Sequence, residues 1–208
     1  MRLVVVGASG GVGSRLLARA VAQGHTVTAQ TREASRVTPS EDVRVAEGEP
    51  TDEPFLRRSL EGHDAVVLCL GIDSLGRTTL FSDTTRALIA AMEATGVKRL
   101  VAVTGIGAGD SRGHGGWFYN RVLFPLFTRH RYADKDRQEA LIERTSLDWT
   151  IVRPAPFAKT TSGELQVFTE IPPGLQLSAI TRDETAAFLL ECVEDATFVR
   201  QKPFIGHA

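Results

Sequence analysis

The chain has 208 residues, 42% of them hydrophobic and 24% charged, with a net charge of −1. That length permits one domain with a full core, and the balanced charge argues against a nucleic-acid or membrane surface. Two cysteines make no disulfide framework, which fits a reducing cytoplasm, and no apolar run approaches the ~20 residues that span a bilayer.

Residues 3–6 (LVVV) read as a strand buried on both faces. A glycine turn follows, Gly7-Ala-Ser9-Gly10-Gly11-Val12-Gly13, and then Leu16, Leu17 and Val21 recur at helical spacing until Gly24. Strand, glycine turn and helix in this order suit a dinucleotide pyrophosphate. Gly7 permits the tight turn, Gly10 lets backbone amides reach phosphate, and Gly13 lets the helix pack closely, with its positive dipole end toward the anion. The spacing is G-x-x-G-x-x-G rather than the commoner G-x-G-x-x-G.

The turn Gly7-Ala-Ser-Gly-Gly-Val-Gly13 resembles the atypical short-chain dehydrogenase/reductase superfamily, in its NAD(P)H-binding branch of biliverdin reductase B/flavin reductase-like and NmrA-like proteins. The resemblance implies a Rossmann-type cofactor domain in which the turn, from Gly7 through Ser9, Gly10, Gly11, Val12 and Gly13, meets the cofactor.

Residues 25–31 alternate as a second strand, and Arg32 follows where the ribose end of a dinucleotide is read. Gln30 and Thr31 offer no carboxylate for a ribose 2′-hydroxyl, whereas Arg32, with Ser35 and Arg36 as helpers, suits a 2′-phosphate. NADP(H) is therefore expected over NAD(H). Residues 43–45 read as a third strand, and 53–60 as a helix capped by Thr51 or Asp52. Residues 65–70 (AVVLCL) read as a fourth strand. By resemblance, Cys69-Leu70-Gly71 passes beside the cofactor, and Cys69, inside an apolar run, reads as an inert buried thiol.

Residues 80–95 have the spacing of an amphipathic helix closed by Gly96, and 99–104 form a fifth strand. Strands alternating with helices indicate an α/β, doubly wound parallel sheet, whose ligands bind beyond the strands' carboxyl ends. Gly7, Arg32, Gly71 and Thr104 all fall there. Thr104 also occupies the strand end where the superfamily carries its catalytic Ser or Thr.

Residues 105–116 are glycine-rich and lead into the aromatic stretch 117–127, which reads either as a substrate lid or as a surface loop before a packing helix. His114 reads as a solvated loop histidine and Arg129-His-Arg131 as a solvated charged face. The run from Tyr132 and Lys135 through Glu139 to Leu147-Asp-Trp-Thr-Ile-Val-Arg-Pro154 resembles the K-x-x-x-E-x-x-L and L-D-W-T-I-x-R-P segments of atypical reductases. That implies Lys135 near the nicotinamide ribose, and the segment Arg153-Pro154-Ala155-Pro156-Phe157 lining the nicotinamide pocket with backbone and apolar groups.

The Tyr-x-x-x-Lys pair of standard short-chain dehydrogenases is absent: Tyr119 has Leu123 at that offset and Tyr132 has Asp136. Tyr132 and Lys135, three apart, share a helix face at most. Thr104, Lys135 and Tyr132 are the catalytic candidates, with packing as the alternative for Tyr132. No Cys/His set has zinc spacing, so no metal is expected. Beyond Phe157 comes a small α+β lobe within one domain, 1–208: strands at 164–169, 175–180 and 198–205, and a helix opened by the capping box Thr181-Arg-Asp-Glu184.

These features favour an NADPH-dependent oxidoreductase acting on a planar acceptor such as a quinone, flavin or tetrapyrrole, where the cofactor carries the chemistry. The alternative is a non-catalytic NADP(H) sensor acting through a protein partner. A sugar-nucleotide epimerase needs the missing Tyr/Lys pair and a larger lobe. The chain is expected to be a monomer or homodimer in the cytoplasm.

Overall fold

The computed structural model of the chain describes residues 1–72, 76–108, 129–170, 172 and 176–207, with the side chains of 129–131 excepted. The expected aromatic stretch 117–127, Tyr119 and His114 lie outside these residues.

The strands β1 (Arg2–Val6), β2 (Thr26–Thr31), β3 (Val43–Glu47), β4 (Ala65–Leu68), β5 (Arg99–Val103), β6 (Asp148–Pro154), β7 (Gln166–Phe168) and β8 (Phe204–Gly206) form one sheet in the order β3-β2-β1-β4-β5-β6-β8-β7. All neighbours run parallel except β7, which is antiparallel to β8. The first six follow the 3-2-1-4-5-6 order of a dinucleotide-binding sheet, with the chain reversing direction across the sheet between β1 and β4. The lobe does not form a separate layer: β8 and β7 extend the same sheet.

Among the described residues five helices cover it: α1 (Gly13–Ala22), α2 (Glu53–Leu60), α3 (Leu80–Thr95), α4 (Arg129–Glu143) and α5 (Arg182–Glu194). Alternation along β1 sends Leu3 and Val5 into a core with α1 and α5, and Val4 and Val6 into a core with α2, α3 and α4. Leu16 and Ala20 of α1 meet Phe188 and Leu189 of α5 within the first core, and Leu56, Leu88, Met92 and Ile142 fill the second. This two-sided burial is why β1 is a continuous apolar run.

Local chemistry fixes the boundaries. Asp52, rather than Thr51, caps α2 by accepting from the Phe55 amide at 3.2 Å. The Thr181/Glu184 capping box of α5 is formed, and Gly96 ends α3 at φ 76°. Three expectations shift. The fourth strand stops at Leu68, two residues early. Residues 176–180 contribute only isolated bridges, Ile180 to Phe157 and Ala179 to His207. The last strand begins at Phe204, because Ala196, Phe198 and Arg200 take positive φ (49°, 55° and 57°) and turn the chain. Buried groups hold that turn: the Thr150 hydroxyl donates to the carbonyls of Thr197 and Phe198, and the Arg99 guanidinium donates to those of Cys192 and Thr197. Apolar alternation in 198–205 carries no sign of such a tether.

Candidate functional site

A cleft of about 540 Å³ opens over the carboxyl ends of β1, β2, β4, β5 and β6. At its centre the chain leaves β1 at Gly7, whose φ of 85° is costly for any residue with a Cβ. Gly13 opens α1 so close beneath it that a Cβ would stand 2.2 Å from the Gly7 carbonyl oxygen. The sequence can therefore make this crossing only with glycine. Among the described residues the amides of Gly11 and Val12 donate to no carbonyl, and both residues line the cleft at the positive end of α1.

Gln30 braces the turn. Its Oε1 accepts from the Gly7 amide at 3.0 Å and its Nε2 donates to the Gly48 carbonyl at 2.6 Å, tying β1 to the loop after β3. Its side chain is thus committed to structure. The Thr31 hydroxyl donates to Ser9 Oγ at 2.9 Å. Arg32 is exposed, and Arg36 reaches the Ser9 carbonyl from the 3-10 turn after β2, at 3.5 Å. A side recess joins Ser9, Thr31, Arg32 and Arg36 with Glu33 and Glu49.

At the other end of the cleft, α4 turns toward the sheet. The Lys135 ammonium donates to the Val103 carbonyl at 2.8 Å and stands 3.9 Å from the centre of the Phe81 ring. Tyr132, one turn earlier, lines the cleft; its hydroxyl lies 3.2 Å from where a Cβ on Gly105 would stand. Thr104, at the end of β5, donates its hydroxyl hydrogen to Glu139 Oε1 at 2.6 Å. Glu139 is gripped in turn by Arg153, whose Nε and Nη2 donate to Oε1 and Oε2 at 3.1 and 2.6 Å, and both side chains are buried. A carboxylate forked by a guanidinium only accepts hydrogen bonds. The single hydrogen of Thr104 is therefore spent on Glu139, and what Thr104 presents to the cleft is a lone pair.

The structure brings most of the expected residues to one wall-to-wall site. Gly7, Ser9, Gly10, Gly11, Val12, Arg32, Cys69, Leu70, Gly71, Thr104, Tyr132, Lys135, Pro154, Ala155 and Phe157 all line it, whereas Gly13 lies just outside and supports the turn. Arg153 is not among the lining residues. Its side chain is held behind the wall by Glu139 and the Phe204 ring, 5.2 Å from the guanidinium carbon, rather than lining the pocket. The Cys69 thiol is buried and pushed up to about 12 by that burial, so it stays protonated and unreactive near neutral pH.

Arg182, Phe81, Ile72 and Pro50 also line the cleft and were not singled out in the sequence. Glu139 entered only inside a motif. Arg182 follows the α5 cap, where a cation signals nothing by itself. Among the described residues the lining carries four cations, Arg32, Arg36, Lys135 and Arg182, and no carboxylate. Such a cleft, with two open amides at a helix N-terminus, fits a long polyanion. No group of three His, Cys, Asp or Glu side chains is placed to hold a metal among the described residues. None of their helices is long and apolar enough to cross a membrane.

Comparison with known proteins bears on the family and the fold. Residues 7–196 match the NAD(P)H-binding family. YwnB, an uncharacterized protein of Bacillus subtilis, is 29% identical over 163 residues, covering 76% of this chain and 73% of that protein. The oxidoreductase YlbE from Lactococcus lactis shares the fold with a TM-score of 0.83 at 19% identity, over 100% of this chain and 91% of that one. ChuY, an anaerobillin reductase from Escherichia coli, superposes with a TM-score of 0.81 at 21% identity, over 100% and 97%. A short-chain dehydrogenase/reductase from Veillonella parvula in complex with NADP gives 0.80 at 17% identity, over 99% and 94%. A family match running from the glycine turn to the end of α5, on a sheet with the dinucleotide-binding strand order, places this chain in the NAD(P)H-binding family.

Proposed function

We propose that the chain is an NADPH-dependent reductase of a planar acceptor such as a quinone, flavin or tetrapyrrole. The observation that carries the reading is the charge of the cleft lining, four cations without a carboxylate, on a frame whose glycine turn leaves two amides open. When bound, the dinucleotide supplies the reducing equivalent at its nicotinamide. Gly10, Gly11 and Val12 would hold its pyrophosphate, Arg32 and Arg36 its 2′-phosphate, and Lys135 its nicotinamide ribose. Pro154, Ala155 and Phe157 would line the ring's site.

NADP(H) is favoured over NAD(H) by the end of β2. Gln30 is committed to Gly7 and Gly48, so it does not read a ribose, and Arg32 and Arg36 flank Ser9. Glu33 and Glu49 share that recess but do not line the main cleft. The structure of the Veillonella protein with NADP and the anaerobillin activity of ChuY are consistent with both parts of the reading.

At the reacting end, Thr104 accepts a hydrogen bond and does not deliver a proton. Tyr132 is then the described side chain best placed to donate one, with solvent as the alternative source. Acceptors of this kind need little more, because the cofactor carries the electron chemistry.

The test is NADPH oxidation followed spectroscopically against a panel of quinones, free flavins and tetrapyrroles, with NADH in parallel. Saturable turnover with NADPH is expected. Tight binding without turnover for any acceptor would instead establish a sensor acting through a protein partner, and a preference for NADH would overturn the assignment of Arg32.

A further inference from the structure

The first turn of α5 lies beside the glycine turn, and its backbone is tightly fixed. The Thr181 hydroxyl accepts from the Glu184 amide at 3.1 Å, while Glu184 Oε2 accepts from the Thr181 amide at 2.8 Å. Glu184 Oε1 is held by the Thr161 hydroxyl at 3.0 Å and by His207 Nε2 at 2.9 Å. Asp183 pairs with Arg19 of α1, whose Nε donates to Oδ1 at 3.2 Å, so this turn is fastened to the helix that the glycines open.

Arg182 projects from that fixed turn. Its guanidinium carbon lies 4.8 Å from the centre of the Phe157 ring. Its Cδ and Nε pass over Gly11 so closely that a Cβ there would stand 2.8 Å from both. A side chain at Gly11 would displace Arg182 from this position. Among the described residues the guanidinium has neither a carboxylate nor a carbonyl partner, and Phe157 beneath it is 41% exposed. A stacked arginine with no such partner among the described residues therefore stands beside two amides that also lack an acceptor there, and both line one cleft.

We infer that Arg182 lies over the dinucleotide pyrophosphate beside the glycine turn, so that the Gly11 and Val12 amides and the guanidinium hold the anion together. The inference rests on the proposed reading that the cleft holds NAD(P)H. Stacking on Phe157 keeps the guanidinium over Gly11, which lowers the entropy lost when it engages the anion. The division of labour is explicit: Arg182 reads what NADPH and NADH share, while Arg32 reads the 2′-phosphate that only NADPH carries.

Fluorescence titration of wild type, Arg182→Gln, Phe157→Leu and Arg32→Ala with NADPH and with NADH separates these roles. For Arg182→Gln the Kd of both dinucleotides is expected to rise about ten- to a hundredfold with their ratio nearly unchanged, as loss of a charge-assisted contact implies. Phe157→Leu moves both in the same direction by less, and Arg32→Ala weakens NADPH alone. Arg182 is exposed, so the melting temperature without cofactor should be the same as wild type. Unchanged affinities in Arg182→Gln, beside a weakened NADPH in Arg32→Ala, would overturn the clamp and leave the cleft reading intact. A wild type that binds neither dinucleotide would overturn both.

Discussion

The two ends of the cleft are built on opposite plans. The end proposed for the phosphates is mostly backbone, a glycine turn with the Gly11 and Val12 amides open, braced by Gln30 and edged by exposed arginines. The reacting end is mostly side chain. Thr104, Lys135, Glu139 and Arg153 come from β5, α4 and β6, and their charges are buried. A site made of backbone tolerates change around it and fails locally. A site made of buried charges is coupled to the stability of the whole sheet, because each partner removed leaves another ion uncompensated in a low-dielectric interior.

The sharpest test of that contrast is Glu139→Ala. It leaves the Arg153 guanidinium, only 1% exposed, without its carboxylate, and unfolding by urea should show a loss of about 3–5 kcal/mol. The double variant Glu139→Leu/Arg153→Met should recover much of it, since similar-sized apolar residues often replace a buried pair at little cost. A single-variant loss below about 1 kcal/mol, the range of exposed pairs, would mean that the two ends do not differ in kind.

Gln30→Ala probes the phosphate end. It orphans the Gly7 amide and the Gly48 carbonyl, with an expected cost of about 1–3 kcal/mol and a weaker Kd for NADPH and NADH alike. A stability loss with unchanged dinucleotide affinity would show that the turn does not need the brace.

Asp134→Ala probes the seam between the helices behind the reacting end. Asp134, fully buried on α4, accepts from the Phe81 amide at 2.9 Å and caps α3 from outside its own chain segment. Its loss should cost about 1 kcal/mol and speed amide exchange at Phe81 and Ser82 before the rest of α3.

A further effect is expected on acid stability. Burial raises the pKa of Glu184, but hydrogen bonds from the Thr181 amide and hydroxyl, His207 and Thr161 outweigh it and hold the group at about 2 instead of 4.5. The folded state thus favours the carboxylate. Its contribution is complete above about pH 4.5 and is lost as the pH falls toward 2. Glu184→Gln should flatten the stability curve between those values, and an unchanged acid limb would remove Glu184 as its source.

The helix α4 explains why half of the site was hard to read. Its buried face is Asp134, Lys135, Gln138, Glu139 and Ile142, at good helical spacing, yet four of the five are polar. A search for apolar periodicity passes over such a face. Lys135 and Glu139 are legible only through resemblance to a motif, and nothing in that motif tells that Glu139 holds the Arg153 side chain behind the wall. Arg182 gave no signal at all, because its role depends on Gly11, which is 171 positions away.

By itself the sequence determined the strand–turn–helix opening, the alternation that makes a doubly wound sheet, the capping box of α5 and the glycine that ends α3, and an end of β2 without a carboxylate. Each depends on residues within a turn or two of one another, where steric and hydrogen-bonding rules act directly. Only the tertiary structure decided that Gln30 braces the turn, that Thr104 has given its hydrogen to Glu139, and that Arg182 stands over Gly11 on Phe157. Those facts depend on how a hydrogen or a charge finds its partner across the sheet, and the partner is chosen by packing of elements far apart in the chain.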